Sequence, residues 1–255
     1  MIRIGARTVD TMPAVEGFSP NALQQSIFDT MAKSSYTYRY DTANQLAFEL
    51  TMRNATVEAS RALAHSGLQF KVFRKSFANP QYWRRTNDGG FLLLGSVDPS
   101  DGIANIFTHG SLYGTECATA MIIVYFGTML RVYPEGLFNR MYSNIYLMNW
   151  QHVDRDLALQ DFPNPADLLP GDAKYFKNPD VNPLTPEWQG ENAFYLGGGL
   201  YYGHGIGIAD GNTIIKALNA ARKPNATRSA YLMDSAKRQN YSYLYSVLQR
   251  YQAGR

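Results

Sequence analysis

Cys117 is the only cysteine in a chain of 255 residues, and its neighbours put it at the start of a helix. The run Ser111-Leu-Tyr-Gly-Thr-Glu-Cys-Ala-Thr-Ala leads into Met121-Ile-Ile-Val-Tyr-Phe. Gly114 and Thr115 read as stop-and-cap residues, and everything after Ala118 as one apolar helix. A thiol in the first helical turn faces unpaired N–H groups and the positive end of the macrodipole, which favours its thiolate. A single cysteine makes no internal disulfide and no cysteine metal cluster, so it is buried filler or a nucleophile. Taken alone, filler is the stronger reading, because free cysteine is among the most buried residue types. Three other side chains tip the balance toward chemistry, since a thiol nucleophile needs a group to carry its proton. They are Glu116, adjacent in sequence, Glu191, and His204 between two glycines. Each has a plainer reading: Glu116 complementing a helix N-terminus, Glu191 as a surface acid, His204 as a hydrogen-bonded strand histidine. Asp172 reads as a turn-forming acid.

The elements that must position these groups follow from periodicity and punctuation. Residues 1–40 read as irregular, apart from a short helix over 21–32 that Asn21 can cap. An amphipathic helix is expected over 44–64, with Leu46, Phe48, Leu50, Val57 and Leu63 inward. Tyr82-Trp-Arg-Arg-Thr and Phe91-Leu-Leu-Leu, joined by Asn87-Asp-Gly-Gly, read as a hairpin. Pro99 opens a short helix reaching Phe107, and the cysteine helix follows. The last third reads as three strands: Gly171-Asp-Ala-Lys-Tyr-Phe-Lys, Glu191-Asn-Ala-Phe-Tyr-Leu, and Leu200-Tyr-Tyr-Gly-His-Gly-Ile-Gly-Ile. Gly197-Gly-Gly is the tight turn between the second and third. Helices are expected over 212–221 and 242–251. The prediction is one α+β domain over residues 1–255, its cysteine-bearing central helix packed on a mostly antiparallel sheet with extra helices around it.

Composition is that of an ordinary globular protein. Met1-Ile-Arg-Ile-Gly-Ala-Arg leads into no apolar secretory segment, and the longest apolar run, 118–130, is about thirteen residues, short of a membrane span. A lone cysteine then points to a reducing cytoplasm. Charge is uneven: residues 216–255 hold eight Lys and Arg against one acid, Asp234, or +7 in a chain that sums to +3. This basic, largely helical end reads as a solvated face, with docking on an acidic partner as the alternative. Its tyrosines alternate without forming a nucleic-acid motif, so no nucleic-acid or membrane partner is expected. Cysteine and histidine spacing suits no metal, and no cofactor-binding loop is present.

The order of helix with Cys, Gly-Asp-x-x-Tyr-Phe strand, strand opening on an acid and segment with His resembles the papain-like cysteine enzymes of the NlpC/P60 type. Pro170-Gly171-Asp172-Ala173-Lys174-Tyr175-Phe176 matches that group's first strand element. Glu191-Asn-Ala-Phe-Tyr-Leu-Gly matches the next, with Glu191 where the group has its catalytic His, and His204 falls near the third polar position. A closer likeness adds a reaction. Glu116-Cys117-Ala118-Thr119-Ala120, Tyr175-Phe-Lys-Asn-Pro, Trp188-Gln-Gly-Glu-Asn, His204-Gly-Ile-Gly-Ile and Ser229-Ala-Tyr-Leu resemble the transglutaminases of spore-forming Bacillus-type bacteria. The resemblance runs from about residue 40, with residues 1–40 and the tail after about 239 matching less clearly.

That resemblance implies calcium-independent protein-glutamine γ-glutamyl transfer. Coat proteins of the spore would be joined through ε-(γ-glutamyl)lysine bonds by a monomeric enzyme made in the mother-cell cytoplasm and then placed in the coat. Cys117 would form a thioester with glutamine, and a lysine amine would resolve it. Glu191 holds the general-base position, with Glu116 second and His204 third, orienting Glu191 or substituting for it. A free Glu titrates about four pH units below a free Cys, and raising it toward 7 takes roughly 3.5 kcal/mol, which burial and a second carboxylate can supply. Trp150, Trp188, Tyr175 and Tyr201 are the candidates for the substrate-binding surface, and dry surroundings would favour lysine over water. Two alternatives carry different chemistry. A cysteine hydrolase of the NlpC/P60 type should have His at position 191 and an export signal. A non-catalytic coat scaffold need not keep Cys, Glu and His together.

Overall fold

The fold is that of a computed structural model, which describes residues 1–254. The first residues form a small sheet of β1 (Ile2–Ile4), β2 (Arg7–Val9) and, after helix α1 (Ala22–Lys33), β3 (Tyr38–Tyr40), in the order β2-β1-β3. Asn21 caps α1 and exchanges reciprocal hydrogen bonds with Gln24. This replaces the irregular segment expected over 1–40: strands of three residues are too short to show a period. They are real because Ile2, Tyr38 and Tyr40 are buried with Phe28 and Met31 of α1 against Leu46 and Leu50 of the next helix, α2 (Ala43–His65).

After α2 come β4 (Gln69–Phe70), the hairpin of β5 (Trp83–Arg85) and β6 (Phe91–Leu93), α3 (Pro99–Thr108), β7 (Gly114–Thr115), α4 (Cys117–Val132), α5 (Glu135–Met141) and β8 (Tyr146–Leu147). The last third supplies β9 (Leu159–Phe162), β10 (Ala173–Lys177), β11 (Gly190–Gly197), β12 (Leu200–Gly203), β13 (Gly207–Asp210), α6 (Gly211–Ala220), β14 (Tyr231–Leu232), β15 (Ala236–Gln239) and α7 (Tyr241–Ala253). The principal sheet runs β13-β12-β11-β10-β15-β9, with β14 also on β10, and every ladder in it is antiparallel. The expected α+β arrangement of a central helix on an antiparallel sheet is therefore present. Two strand readings change. The stretch from Leu200 to Ile208 is not one strand but a hairpin, with His204 in its turn. The basic end is not mainly helical, because β14 and β15 lie in the principal sheet.

Helix α4 is apolar all round and buried almost throughout, as an interior helix must be. One side packs on α2, where the Thr128 hydroxyl donates to that of Thr56 at 3.2 Å. The other meets β11, with Tyr125 edge-on to Phe194 at 5.0 Å. Gly127 lets α3 approach, since a Cβ there would sit 2.2 Å from the Phe107 ring.

The Gly171-Asp172 turn leading into β10 is anchored by charge. Asp172 is fully buried. Its Oδ1 accepts from Arg53 Nη1 at 2.9 Å and Arg238 Nε at 2.7 Å, and its Oδ2 from Arg238 Nη2 at 2.7 Å and the Leu169 N–H at 3.0 Å. Arg53 also binds Glu49 at 2.8 Å. One carboxylate thus ties α2 to β10 and β15, far beyond a turn-forming role. Other cations of the basic end are also met by acids from earlier in the chain: Arg228 by Asp180 at 2.6 Å and Lys237 by Asp161 at 2.5 Å. Much of the +7 is therefore internal pairing. Removing one partner of a buried ion group leaves the others uncompensated, so Asp172→Ala should lose about 3–5 kcal/mol of stability. Urea denaturation of the variant beside the parent measures it, and a loss under 1 kcal/mol would contradict the anchoring role.

Candidate active site

Cys117 opens α4 at its first helical position, and Glu116 is the cap. Glu116 Oε2 accepts from the Ala118 N–H at 2.6 Å, and Oε1 from the Thr119 N–H at 2.6 Å and the Thr119 hydroxyl at 2.5 Å. Gly114 and Thr115, read from sequence as stop and cap, instead form β7, paired parallel to β4. The carboxylate takes two of the N–H groups and offsets the positive potential that would have stabilised a thiolate.

The thiol is correspondingly not acidic. Burial, then the negative charges of Glu191 and Glu116, push Cys117 up to about 12, against a smaller pull down from Asn192. The favoured thiolate expected from the helix start is therefore corrected: a helix terminus activates a thiol only while its N–H groups remain free. Asn192 Nδ2 donates to Cys117 Sγ at 3.4 Å, and Trp150 Nε1 donates to Asn192 Oδ1 at 3.2 Å. An indole N–H can only donate, so Trp150 fixes which end of the amide is oxygen and leaves the NH2 for sulfur.

Glu191 precedes Asn192 on β11 and is buried, not a surface acid. Its Oε1 accepts from the Gly205 N–H at 3.1 Å. The carboxylate lies so close to the β12–β13 turn that a Cβ on Gly203 would come 2.7 Å from Glu191 Cγ, and one on Gly205 2.9 Å from Oε2. Burial raises Glu191 to about 7; the Gly205 N–H opposes this and the Glu116 charge adds to it. The two contributions expected from sequence, desolvation and a second carboxylate, are both present.

His204 is also buried, and burial holds it down to about 4, so the ring is neutral at pH 7. Its Nε2 donates to the Gln69 carbonyl at 3.2 Å, which leaves Nδ1 to accept from the Tyr202 hydroxyl at 3.3 Å. No ring nitrogen bonds to Cys117 or Glu191. His204 instead fastens the turn on which Glu191 leans to β4.

Cys117 opens into a cleft of about 680 Å³ lined by Phe70, Glu116, Trp150, Tyr175 and Asn192 among others. Of the four aromatic candidates, Trp150 and Tyr175 line it. Trp188 stands behind Phe70, ring centroids 6.2 Å apart. Tyr201 lies elsewhere, buried against Phe176 with centroids 5.2 Å apart. Register explains the pairing of wall residues: Tyr175 is opposite Asn192 across the β10–β11 ladder, as Phe176 is opposite Glu191. Charge near the site pushes Tyr175 up as well, to about 12, burial first and then Cys117 and Glu191.

A sequence profile of the family described as Protein-glutamine gamma-glutamyltransferase matches residues 1–248. The chain belongs to that family. The match includes the first forty residues, which the motifs had left aside. A protein-glutamine gamma-glutamyltransferase of Bacillus cereus (strain B4264) is 48% identical over 217 residues, covering 85% of this chain and 78% of its own. One from Bacillus mycoides (strain KBAB4) is 48% identical over 213 residues, covering 84% and 76%. Among solved structures, a transglutaminase from Geobacillus stearothermophilus, without its C-terminal extension, superposes with a TM-score of 0.77 at 46% identity, covering 81% of this chain and 98% of that one.

Two site residues escaped the sequence reading. Asn192 stood within the quoted motif beside Glu191, and its being a polar residue next to the proposed base was the available signal. Phe70 carries none, being brought to the cleft by the two-residue pairing of β4 with β7. A testable consequence follows from the Glu191 carboxyl. It titrates near 7 in the fold and about 4.3 unfolded, so its contribution to stability is fully present below about 4.3 and lost as pH rises through 7. Glu191→Gln should therefore be more stable than the parent at pH 8, by about 3 kcal/mol. The gain should vanish near pH 4. Chemical denaturation at the two pH values checks it; an unchanged difference would mean the carboxyl is not perturbed.

Proposed function

We propose that the enzyme joins protein glutamine to protein lysine through a Cys117 thioester, with Glu191 carrying the protons. The observation that carries this is one thiol in a cleft walled in part by Phe70, Trp150 and Tyr175, within the electrostatic reach of a carboxyl poised near 7. At neutral pH the resting pair is thiol and partly ionised carboxylate. Moving the proton from sulfur to Glu191 beforehand would cost roughly 7 kcal/mol, so it leaves as the C–S bond forms. Sγ attacks the glutamine Cδ, Glu191 takes the thiol proton and delivers it to the departing nitrogen, and ammonia leaves a thioester. A neutral lysine amine then attacks the thioester carbon, Glu191 accepts its proton, and collapse expels Sγ, which takes that proton back. The products are an isopeptide bond and the original thiol.

Negative charge gathers on the glutamine oxygen in both tetrahedral intermediates. Glu116 occupies the Ala118 and Thr119 N–H groups, which leaves the Cys117 N–H and the Asn192 NH2 as donors next to sulfur. Trp150 and Tyr175 favour an amine on an aliphatic stem over water at the thioester. The protein substrates we propose are those of the spore coat, and the place of action the mother cell and then the coat, on the likeness to enzymes of spore-forming Bacillus. No helix of the described residues is long and apolar enough to cross a membrane.

The test is incorporation of a labelled primary amine into a glutamine-bearing protein. Cys117→Ala should abolish it with the fold intact by circular dichroism. Glu191→Gln should lower the rate about 10²–10⁴-fold, and His204→Ala less, while the Glu116/Glu191 double variant should fall below either single one. The parent rate should drop as pH falls through about 7, where Glu191 takes up its proton. An inactive His204→Ala beside a near-normal Glu191→Gln would reverse the assignment to a Cys–His pair. A second measurement concerns metal. No three His, Cys, Asp or Glu gather as a ligand set among the described residues, so EDTA should leave the rate unchanged, and loss restored by calcium would contradict the proposal.

A further inference from the structure

The wall of the Cys117 cleft carries three charged side chains, Arg74, Glu116 and Glu187, which sum to −1. They are not equivalent. Glu116 has both oxygens engaged by the first turn of α4. Arg74 and Glu187 are exposed, and neither forms an ion pair among the described residues. Glu187 is therefore the acid of the cleft wall whose carboxylate is free to meet a cation from solvent.

The segment around Glu187 is held in place. Glu187 is the middle residue of a single 3-10 turn, Pro186–Trp188, just ahead of β11. Asn178 clasps that turn: its Nδ2 donates to the Trp188 carbonyl at 3.0 Å and the Leu218 carbonyl at 2.9 Å, and its N–H to the Gln189 carbonyl at 2.9 Å. The Trp188 ring rests on Phe70. Below the turn, a Cβ on Gly190 would come 2.2 Å from the Tyr175 hydroxyl oxygen, so the phenol lies against Gly190. Tyr175 in turn stands opposite Asn192, which donates to the sulfur. The wall thus runs from an exposed acid, over an aromatic ring, to the thiol.

That order of groups matches one of the two reactants. A lysine side chain arrives as an ammonium on a flexible aliphatic stem. A carboxylate attracts the charge, aromatic faces favour it further, and the stem covers apolar surface. The glutamine side chain is neutral and gains nothing from the acid. Arg74, from the separate turn Phe73–Lys75, opposes the attraction without cancelling the surplus.

We propose that Glu187 selects the amine acceptor, holding the ε-ammonium of a lysine at the cleft before it attacks. The inference rests on the transfer reaction proposed above. The docked ammonium gives one proton to solvent water, which reaches it because Glu187 is exposed. The free amine's lone pair then forms the C–N bond at the thioester carbon, Glu191 takes the second proton, and the C–S bond breaks. Nitrogen is positive when it docks and again as the C–N bond forms. Glu187 favours both states, so its loss raises KM for the amine more than it lowers kcat.

The experiment is steady-state transfer at pH 8 from a saturating neutral, capped glutamine peptide to two acceptors. One is n-pentylamine, a cation at that pH; the other is hydroxylamine, which is uncharged. Hydroxamate formation by the parent tests the transfer reaction by itself; without it that reaction fails, and the role of Glu187 with it. Where hydroxamate forms, the ratio of KM for pentylamine to KM for hydroxylamine should rise about fivefold in Glu187→Gln and further in Glu187→Lys, and should fall in Arg74→Gln. Added salt should raise the ratio in the parent and much less in Glu187→Gln. A ratio that stays within about twofold of the parent in both Glu187 variants, or a shift in KM for the glutamine peptide instead, would overturn the role of Glu187 and leave the reaction standing.

Discussion

Asp172 is the charge around which the rest is arranged. It is fully buried and holds two arginines, one from the middle of α2 and one from β15. Without it Arg238 would keep no ion pair among the described residues and Arg53 only Glu49. Its consequence for chemistry is indirect. The Gly171-Asp172 turn sets where β10 starts, and the β10–β11 ladder then fixes Tyr175 opposite Asn192 and Phe176 opposite Glu191. A slip of one residue would exchange the cleft wall for the core face. The register of the strands that carry the candidate site is thus secured by an ion group that lies outside the Cys117 cleft.

The electrostatics at Cys117 run against the usual expectation for a helix-start nucleophile. Placing an acid at the cap satisfies the helix end and spends the potential that would have acidified the thiol. The same charge, with burial, lifts Glu191 toward neutrality. On the proposed mechanism the protein thereby exchanges a preformed thiolate for a better proton carrier. That exchange suits a reaction with two acyl-transfer steps, each of which needs a proton taken from one atom and returned to another. It suits less well a reaction whose difficulty is only the first attack.

The parts of this arrangement legible in the sequence are those with local causes. A lone cysteine before an apolar helix, Asn21 before α1, and Gly197-Gly-Gly between β11 and β12 all announce themselves through neighbours. The hairpin at His204 was hidden because Leu200-Tyr-Tyr-Gly-His-Gly-Ile-Gly-Ile alternates like one strand; what breaks it is Gly207 at φ +92° and the closeness of Gly203 and Gly205 to a carboxylate twelve or more positions earlier. The N-terminal strands were hidden by their three-residue length. Arg53 with Asp172, and Phe70 with the cleft, are long-range facts for which no residue spacing gives a signal. The place of His204 behind Glu191 in the sequence reading had no local cause; in space its two ring nitrogens are engaged by Tyr202 and Gln69.

A thioester is attacked by whichever nucleophile reaches it, and water outnumbers lysine by far. Selectivity therefore has to come from the surroundings of the sulfur, and here they are built for it. The Asn192 amide is oriented at both ends, its oxygen by Trp150 and its NH2 toward sulfur, so the polar group nearest sulfur is held in one direction. Glu116, the next polar group, has both oxygens engaged by the helix. On the proposed route Glu191 takes the proton, and its desolvation makes it most basic when no water accompanies it. An amine brought in on its aliphatic stem along Phe70, Trp150 and Tyr175 would reach the sulfur with little solvent beside it. On the proposed route, the same burial that makes the resting thiol inert would direct the acyl group to lysine once the thioester has formed.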